Sequence, residues 1–512
     1  MLHKEVLLNI NFMLILILVF IIFLFSQRRI KDKVSRIFIW SFFVLWLGQS
    51  ILSRFGVYDL FIPQDTTYLL VAIHMVFFYL GFLLVIIPGS KTYGDSYFVF
   101  HQLDKRVNRI TSNILYRVLL IITFLYIVSI FKQYWTAIMI AQSISDARAD
   151  DALYELYGTT FYYLNMLLIT PMHCITMFLF SYKTFEKRDW MWVLMGLFLL
   201  MNTSLKGGRS GFIDIFIYVI FMGIFLHYHL KKEGSFAKRY SGFIVTCLLG
   251  VLMYGIIGLV TAGREGNVSM DSSAFNESQE TTNMHFVTYF VGPIVAFDQG
   301  VHNNVIERQG GYHFGALTFN SVEEVFFTIL NRIGMSYKRP IAQYGDLIQE
   351  NYISIGAMNW NALYTWCNFF YCDLGVLGLI VFPLIIGFIV RSVIVYFYKK
   401  TNVYSASLLL FAYISVVYSI IRFNVNTLSS FFLICFLLYM SHREQKIIRI
   451  YWCPIKNLTE PTEKGTNLSA SPQRFVILRL LQLKFQIYGQ RYKFLRTAGT
   501  KSANKIDGQV KN

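Results

Sequence analysis

The chain has 512 residues, of which 55% are hydrophobic, 17% aromatic and only 15% charged, with a mean hydropathy of +0.49. Soluble domains carry about a quarter charged residues, so this composition excludes an ordinary soluble fold. The net charge of +17 invites a nucleic-acid partner, but the placement argues against it, because Lys and Arg fall in short clusters between apolar runs and along the tail, as in cytoplasmic loops and membrane-surface tails.

The apolar runs recur at roughly 20 residues, the length that crosses a bilayer core as a helix. The first, VLLNINFMLILILVFIIFLF, is longer than a typical signal-peptide core and lacks a small-residue cleavage site, which predicts a retained span. Eleven spans are predicted in all, at 5–26, 37–53, 65–88, 115–138, 159–181, 190–204, 212–229, 241–262, 374–398, 404–421 and 425–441. The expected fold class is therefore an all-α polytopic integral membrane protein with one large extracytoplasmic loop.

The connections alternate in charge. Residues 27–36, 91–109, 182–188, 231–239, 398–400 and 442–446 are basic, whereas those between are neutral or acidic, as in SISDARADDALYELYG (143–158). With the N-terminus outside and the C-terminus inside, every basic cluster lies in the cytoplasm. The chain then divides into an eight-span bundle (1–262), an extracytoplasmic loop (263–373), three further spans (374–441) and a basic cytoplasmic tail (442–512).

The loop opens on a polar stretch, GREGNVSMDSSAFNESQETTN, and turns apolar at MHFVTYFVGPIVAFDQGV, which Gly-Pro interrupts and which is too short to span. A connection of this length is expected to be functional and to hold short, half-buried helices. In the tail, QRFVILRLLQLKFQIYGQRYKFLR (473–496) interleaves basic and apolar residues. It reads either as an amphipathic helix on the anionic inner leaflet or as a disordered basic tail. The six cysteines match no zinc or disulfide framework and read as small buried hydrophobes.

The segment NTSLKGGRSGF (202–212) places Lys206 and Arg209 at the outer end of two spans, against the positive-inside bias. They are therefore not orientation signals, and ionisable groups at such depth tend to meet ligands. The glycines let backbone N–H groups approach an anion. Arg264 and Arg422 leave other spans on the same side, and Arg332, Lys338 and Arg339 lie in the loop. Convergent guanidinium groups suit phosphate or pyrophosphate. The alternative for each is pairing with a loop carboxylate such as Glu265, Glu323, Glu324 or Asp346, or contact with lipid headgroups.

YFVGPIVAFDQGV (289–301), GGRSG (207–211) and NALYTWCNFFYCDLGVLGLIVFPLIIGFI (361–389) resemble the Wzy-type oligosaccharide repeat unit polymerases, which make bacterial O-antigen and capsule. Asn361, Tyr364, Thr365, Tyr371, Asp373, Gly375 and Gly378 occupy the places of that pattern, with Leu374 where Phe is expected. The likeness covers residues 1–441 and leaves out the tail. It implies a glycosyltransferase of the bacterial inner membrane that uses neither nucleotide sugar, metal nor cofactor. Such an enzyme transfers a glycan from undecaprenyl pyrophosphate onto a lipid-linked repeat unit at the outer face. Its implied partners are these lipid-linked glycans, membrane lipids and a chain-length regulator protein.

For the leaving pyrophosphate the candidates are Arg209, Arg264 and Arg422 with Lys206, and Tyr364 and Asp373 join the substrate-binding set. For the base they are Asp298, His302, His313 and Asp373, with Asp298 preferred and helix capping or Arg pairing as its alternative role. Tyr289, Trp360, Tyr364 and Trp366 are candidates to stack on sugars or to anchor at the interface. Competing functions are a lipid-linked oligosaccharide flippase and an O-antigen ligase. A non-catalytic membrane scaffold is a further alternative.

Overall fold

The computed structural model describes residues 2–30, 32–85, 96–141, 162–186, 188–205, 210–229, 241–252, 254–255, 272–350, 353–356, 359–360 and 364–456. Its elements are α1 (Leu2–Ser26), α2 (Lys33–Ser53), α3 (Asp65–Leu84), α4 (Ser96–Thr111), α5 (Ile114–Ala141), α6 (Tyr162–Phe185), α7 (Trp190–Leu205), α8 (Ser210–His229) and α9 (Ser241–Leu252). There follow α10 (Ser272–His302), α11 (Val305–Arg308), α12 (Asn320–Arg332), α13 (Pro340–Glu350), α14 (Trp366–Lys400), α15 (Val403–Tyr418) and α16 (Leu428–Lys456). Between α13 and α14 a two-residue ladder pairs β1 (Ile353–Ser354) with β2 (Asn359–Trp360). Residues 1–447 form one compact unit and 448–512 a second, of which only the end of α16 is described.

Among the described residues five helices are long and apolar enough to cross a membrane: Lys33–Ser53, Asp65–Leu84, Ile114–Lys132, Tyr162–Phe185 and Trp366–Lys400. Parts of α7, α8 and α9 and the whole of α15 are apolar but shorter. The chain is thus a mostly helical, membrane-embedded protein. The predicted spans at 5–26 and 425–441 fall largely within α1 and α16, and the tail at 473–496 lies outside the described residues.

The tightest helix contact joins α3 to α14. A side chain at Gly81 would overlap the carbonyl of Leu384, and one at Gly387 would overlap that of Phe78. Each glycine thus lets the opposing backbone close in, the usual basis of association where lipid removes the hydrophobic drive between helices. Around the crossing Phe42 and Phe78 stack at 4.0 Å. His74 of α3 is fully buried between Trp46 (4.8 Å) and Phe370 (5.7 Å), and neither ring nitrogen has a hydrogen-bond partner among the described residues.

Polar contacts between the helices gather at two ends. At one end Asp32, which caps α2 through Ser35 N (2.9 Å), pairs with Arg391 at 2.7 Å. There too Lys183 meets Asp189 (2.6 Å), Arg188 meets Ser241 (2.8 Å), and Asn402 meets Ser441 (2.9 Å). At the other end Gln49, Asp298, Asn320, Trp366, Arg422 and Asn426 contact one another's segments. Each pair joins segments that alternate crossing would put on one side.

Two expectations need correction. The stretch read as interrupted by Gly-Pro runs within one helix, α10, of 31 residues with Pro293 inside it, and the short helices expected of 263–373 follow it as α11, α12 and α13. Val291, Ile294, Val295, Ala296 and Phe297 are buried in the main core. Proline removes a helical donor. It leaves the Tyr289 carbonyl without its helical donor, and beside it the carbonyl of Phe290 accepts from Gln49 Nε2 at 2.6 Å. Secondly, the last long span begins at Trp366, not 374, and breaks inside at Leu374 (φ −146°) and Gly375 (φ 60°). Left-handed φ is open to glycine without cost, and the Tyr312 ring fills the space a side chain at Gly375 would need.

Substituting Gly81→Ala or Gly387→Ala should force the α3–α14 crossing apart and cost about 1–3 kcal/mol, the usual penalty of overpacking. Thermal unfolding in detergent should show the loss. Gly345→Ala, where no atom lies within 4 Å of the new methyl group, should leave stability unchanged.

Candidate functional site

The connection between α15 and α16 is held from two long helices. Trp46 Nε1 donates to Ser419 Oγ (2.8 Å) and Gln49 Nε2 to the carbonyl of Ile420 (2.8 Å), both from α2. From the start of α14, Trp366 donates its backbone N–H to Ser419 O (2.9 Å) and its indole N–H to Arg422 O (3.0 Å). The Arg422 backbone is therefore fixed, while its guanidinium stays partly exposed. That group lies 4.4 Å above the Tyr418 ring and 3.7 Å from Asp214 Oδ2. The Tyr418 hydroxyl hydrogen-bonds with both Asp214 and Arg422.

Asp214 sits near the start of α8, which begins at Ser210. The structure thus brings the helix that follows the GGRSG junction against Arg422. A side chain at Gly211 would meet Thr203 Cγ2 at 2.6 Å, so α7 and α8 pack closely at this turn. Lys206, Arg209 and Arg264 themselves lie outside the described residues. Arg339 pairs with Glu323 (2.9 Å) and Glu324 (3.4 Å) and bonds Asn320 (2.8 Å), which is the carboxylate-pairing alternative. Arg332 is exposed at the end of α12.

Asp298 is buried, and its Oδ1 accepts from Gln64 N (2.8 Å) and Thr67 Oγ1 (2.7 Å). Gln64 is the N-cap residue of α3 but makes no side-chain cap of its own. Asp298 therefore caps α3 from a distant helix, satisfying donors that the first turn leaves free and placing its charge at the positive end of the dipole. This is the helix-capping alternative named for it beside the role of base. His302, one turn on, places Nδ1 3.4 Å from Asp298 Oδ1 and remains partly exposed, with Nε2 3.3 Å from Thr66 Oγ1.

Asp373 is fully buried, with Oδ1 accepting from Leu317 N (3.0 Å) and Oδ2 from Thr318 N (2.8 Å). The Asp373 carbonyl accepts from Phe314 N (3.0 Å), and that of Cys372 from Gln309 Nε2 (2.9 Å). It straps residues 309–318 onto the break in α14. The aromatic candidates are likewise engaged. Trp360 packs on Gly292 of α10, Trp366 lies between Phe370 and Phe423, and the buried Tyr364 ring faces Tyr344. Tyr289 stacks with His285 at 5.7 Å. Trp360, Tyr364 and Trp366 are thus buried in the core, whereas Tyr289 is half-buried.

Asp214 and Tyr418 were not among the expected site residues. Asp214 left a signal: it is the one carboxylate in the apolar run 212–229, and ionisable groups in spans are functional candidates. Tyr418 left none. Among the described residues no three His, Cys, Asp or Glu side chains converge as metal ligands.

Asp298→Asn keeps an acceptor for Gln64 and Thr67 and should leave stability nearly unchanged, whereas Asp298→Ala should cost about 1 kcal/mol, as lost helix caps do, in a thermal unfolding series. Burial pushes the His313 imidazole below its ordinary pKa, the nearby Asp373 opposing. Its stabilising neutral form is fully present above the unfolded value of about 6.5 and is lost as pH falls toward the lower folded value. His313→Gln should therefore flatten the fall in unfolding temperature seen on acidification below pH 6.5 in the parent.

No family model matches the chain, and neither a curated protein nor a solved structure matches it.

Proposed function

We propose that the chain polymerises lipid-linked oligosaccharide repeat units at the outer face of the bacterial inner membrane, with its N-terminus outside, its C-terminus cytoplasmic and eleven spans. The observation that carries this reading is Arg422, a partly exposed guanidinium on a backbone fixed by Trp46, Gln49 and Trp366. It stands beside the helix that follows the GGRSG junction. The residues of 361–378 that resemble the polymerases support it as well.

In this reaction an acceptor hydroxyl attacks the anomeric carbon of the donor glycan. The bond from that carbon to the pyrophosphate oxygen breaks, and charge builds on the departing undecaprenyl pyrophosphate. Arg422 stabilises that charge, joined in this proposal by Lys206, Arg209 and Arg264. The hydroxyl proton passes to a base on the loop side. His302 is the best placed of the candidates, because its Nδ1 lies 2.8 Å from the Asp298 carbonyl oxygen, which orients the ring.

A flippase is the second reading, favoured by the break in α14 at Leu374 and Gly375, since discontinuous helices are common in transporters.

Complementation of a strain lacking this protein separates the two readings. Arg422→Ala and Arg209→Ala should each abolish polymer, consistent with the loss of about 10²–10³ in rate when one charge-stabilising donor is removed. Arg422→Lys should restore little, because a point charge does not reproduce the guanidinium fork. Arg332→Ala should make polymer of full length. Single repeat units should still reach the outer face. Repeat units held on the inner face would support the flippase, and full-length polymer from Arg422→Ala would overturn the site.

A further inference from the structure

α12 is an amphipathic helix whose apolar side is uncovered. Phe319, Val322, Phe326, Ile329 and Ile333 follow one another at helical spacing, so they form a single stripe. Phe326 is 60% exposed, Ile329 55% and Ile333 66%. Glu323 flanks the stripe and Glu324 lies opposite it, and both are paired with Arg339. A stripe of this kind on a folded chain marks an interaction surface.

The position of the stripe identifies what covers it. It starts at Phe319, whose ring lies 5.9 Å from Phe382 of α14. The preceding strap runs along the same helix: Tyr312 packs on Gly375, and Gly315 lies against Phe382. Phe314, within that strap, is 79% exposed, and Val376 and Leu377 of α14 are exposed as well. α14 is the most apolar of the helices able to cross a membrane, so its exposed residues face lipid. The uncovered stripe is therefore continuous with a lipid-facing surface, at the end of the bundle where the loop returns to it.

We propose that α12 and the strap before it form an interfacial anchor: the apolar stripe inserts into the acyl boundary of the leaflet on the loop side. Glu323, Glu324 and Arg339 stay toward the protein and the water, as they do in interfacial helices. The proposal rests on the membrane reading of the apolar helices and is independent of the chemistry proposed above.

Spin labels on the full chain in bilayer nanodiscs test it. In a background with the six cysteines changed to serine, Phe326→Cys, Ile329→Cys, Thr328→Cys and Leu377→Cys would each carry a nitroxide. Accessibility to lipid-soluble oxygen is compared with accessibility to a water-soluble nickel chelate. The expected ratio is several-fold higher at Phe326 and Ile329 than at Thr328, and close to that at Leu377. Preferential nickel access at Phe326 and Ile329 would put the stripe in water and overturn the proposal. Protection from both reagents would mean that protein covers it, a second copy included, and would overturn it equally. Leu377 is the separate control, because a water-exposed label there would remove the membrane reading itself. Two stripe positions are used so that a variant that fails to reconstitute leaves the other to decide.

Discussion

The contact on which the arrangement depends is the backbone-to-backbone crossing of α3 and α14 at Gly81 and Gly387. Between helices in lipid, close packing must supply what the hydrophobic effect supplies in water. With two carbonyls where side chains would otherwise stand, the helices lock in one register. That register seats Phe370 beside His74 and Trp366 beside Phe78, both of α3. It also fixes the point at which α14 breaks, and with it the strap from 309 to 318 and the connection that carries Arg422. The guanidinium is thus placed by packing some distance away.

Polar side chains follow a second rule, which is to collect at the two ends of the bundle. Asp32 and Arg391 show how much one contact achieves: the carboxylate caps α2, holds an arginine from α14 at 2.7 Å and leaves little of either charge exposed. Asp298 plays the matching part at the far end, capping α3 from α10. Two carboxylates that look reactive or orphaned in the sequence are spent on the first turns of helices. Burying a charge is costly unless it is hydrogen-bonded, and free N–H groups at helix starts supply such bonds.

Much of this was legible in the sequence. Apolar length located α2, α3, α5 and α6. The scarcity of charge pointed to Arg422, which stands beside the start of α8. The role of Asp298 was open because an acceptor within a helix looks the same whether it meets a substrate or another helix. α10 was hidden because Gly292-Pro293 reads as a stop signal, and only the carbonyl contact from Gln49 shows how the helix runs on. The break at Gly375 was visible as a glycine, but its backbone angle is set by Tyr312 and by a strap far off in sequence. Trp360 and Trp366 looked like exposed interface aromatics because burial depends on neighbours that hydropathy does not see.

His74 gives the α3–α14 contact a consequence for the order of assembly. Its ring is enclosed partly by α2, made just before it, and partly by Phe370 of α14, made much later. Chains are synthesised from the N-terminus, and early segments wait for late ones. Through most of translation α3 therefore sits in the bilayer with Gly81 and His74 uncovered, a polar ring and a notch in an otherwise apolar wall. Such a surface invites premature pairing with the wrong helix or retention by the insertion machinery. The arrival of α14 is the committing event in building this protein, and a truncation before Trp366 would leave a half-built bundle.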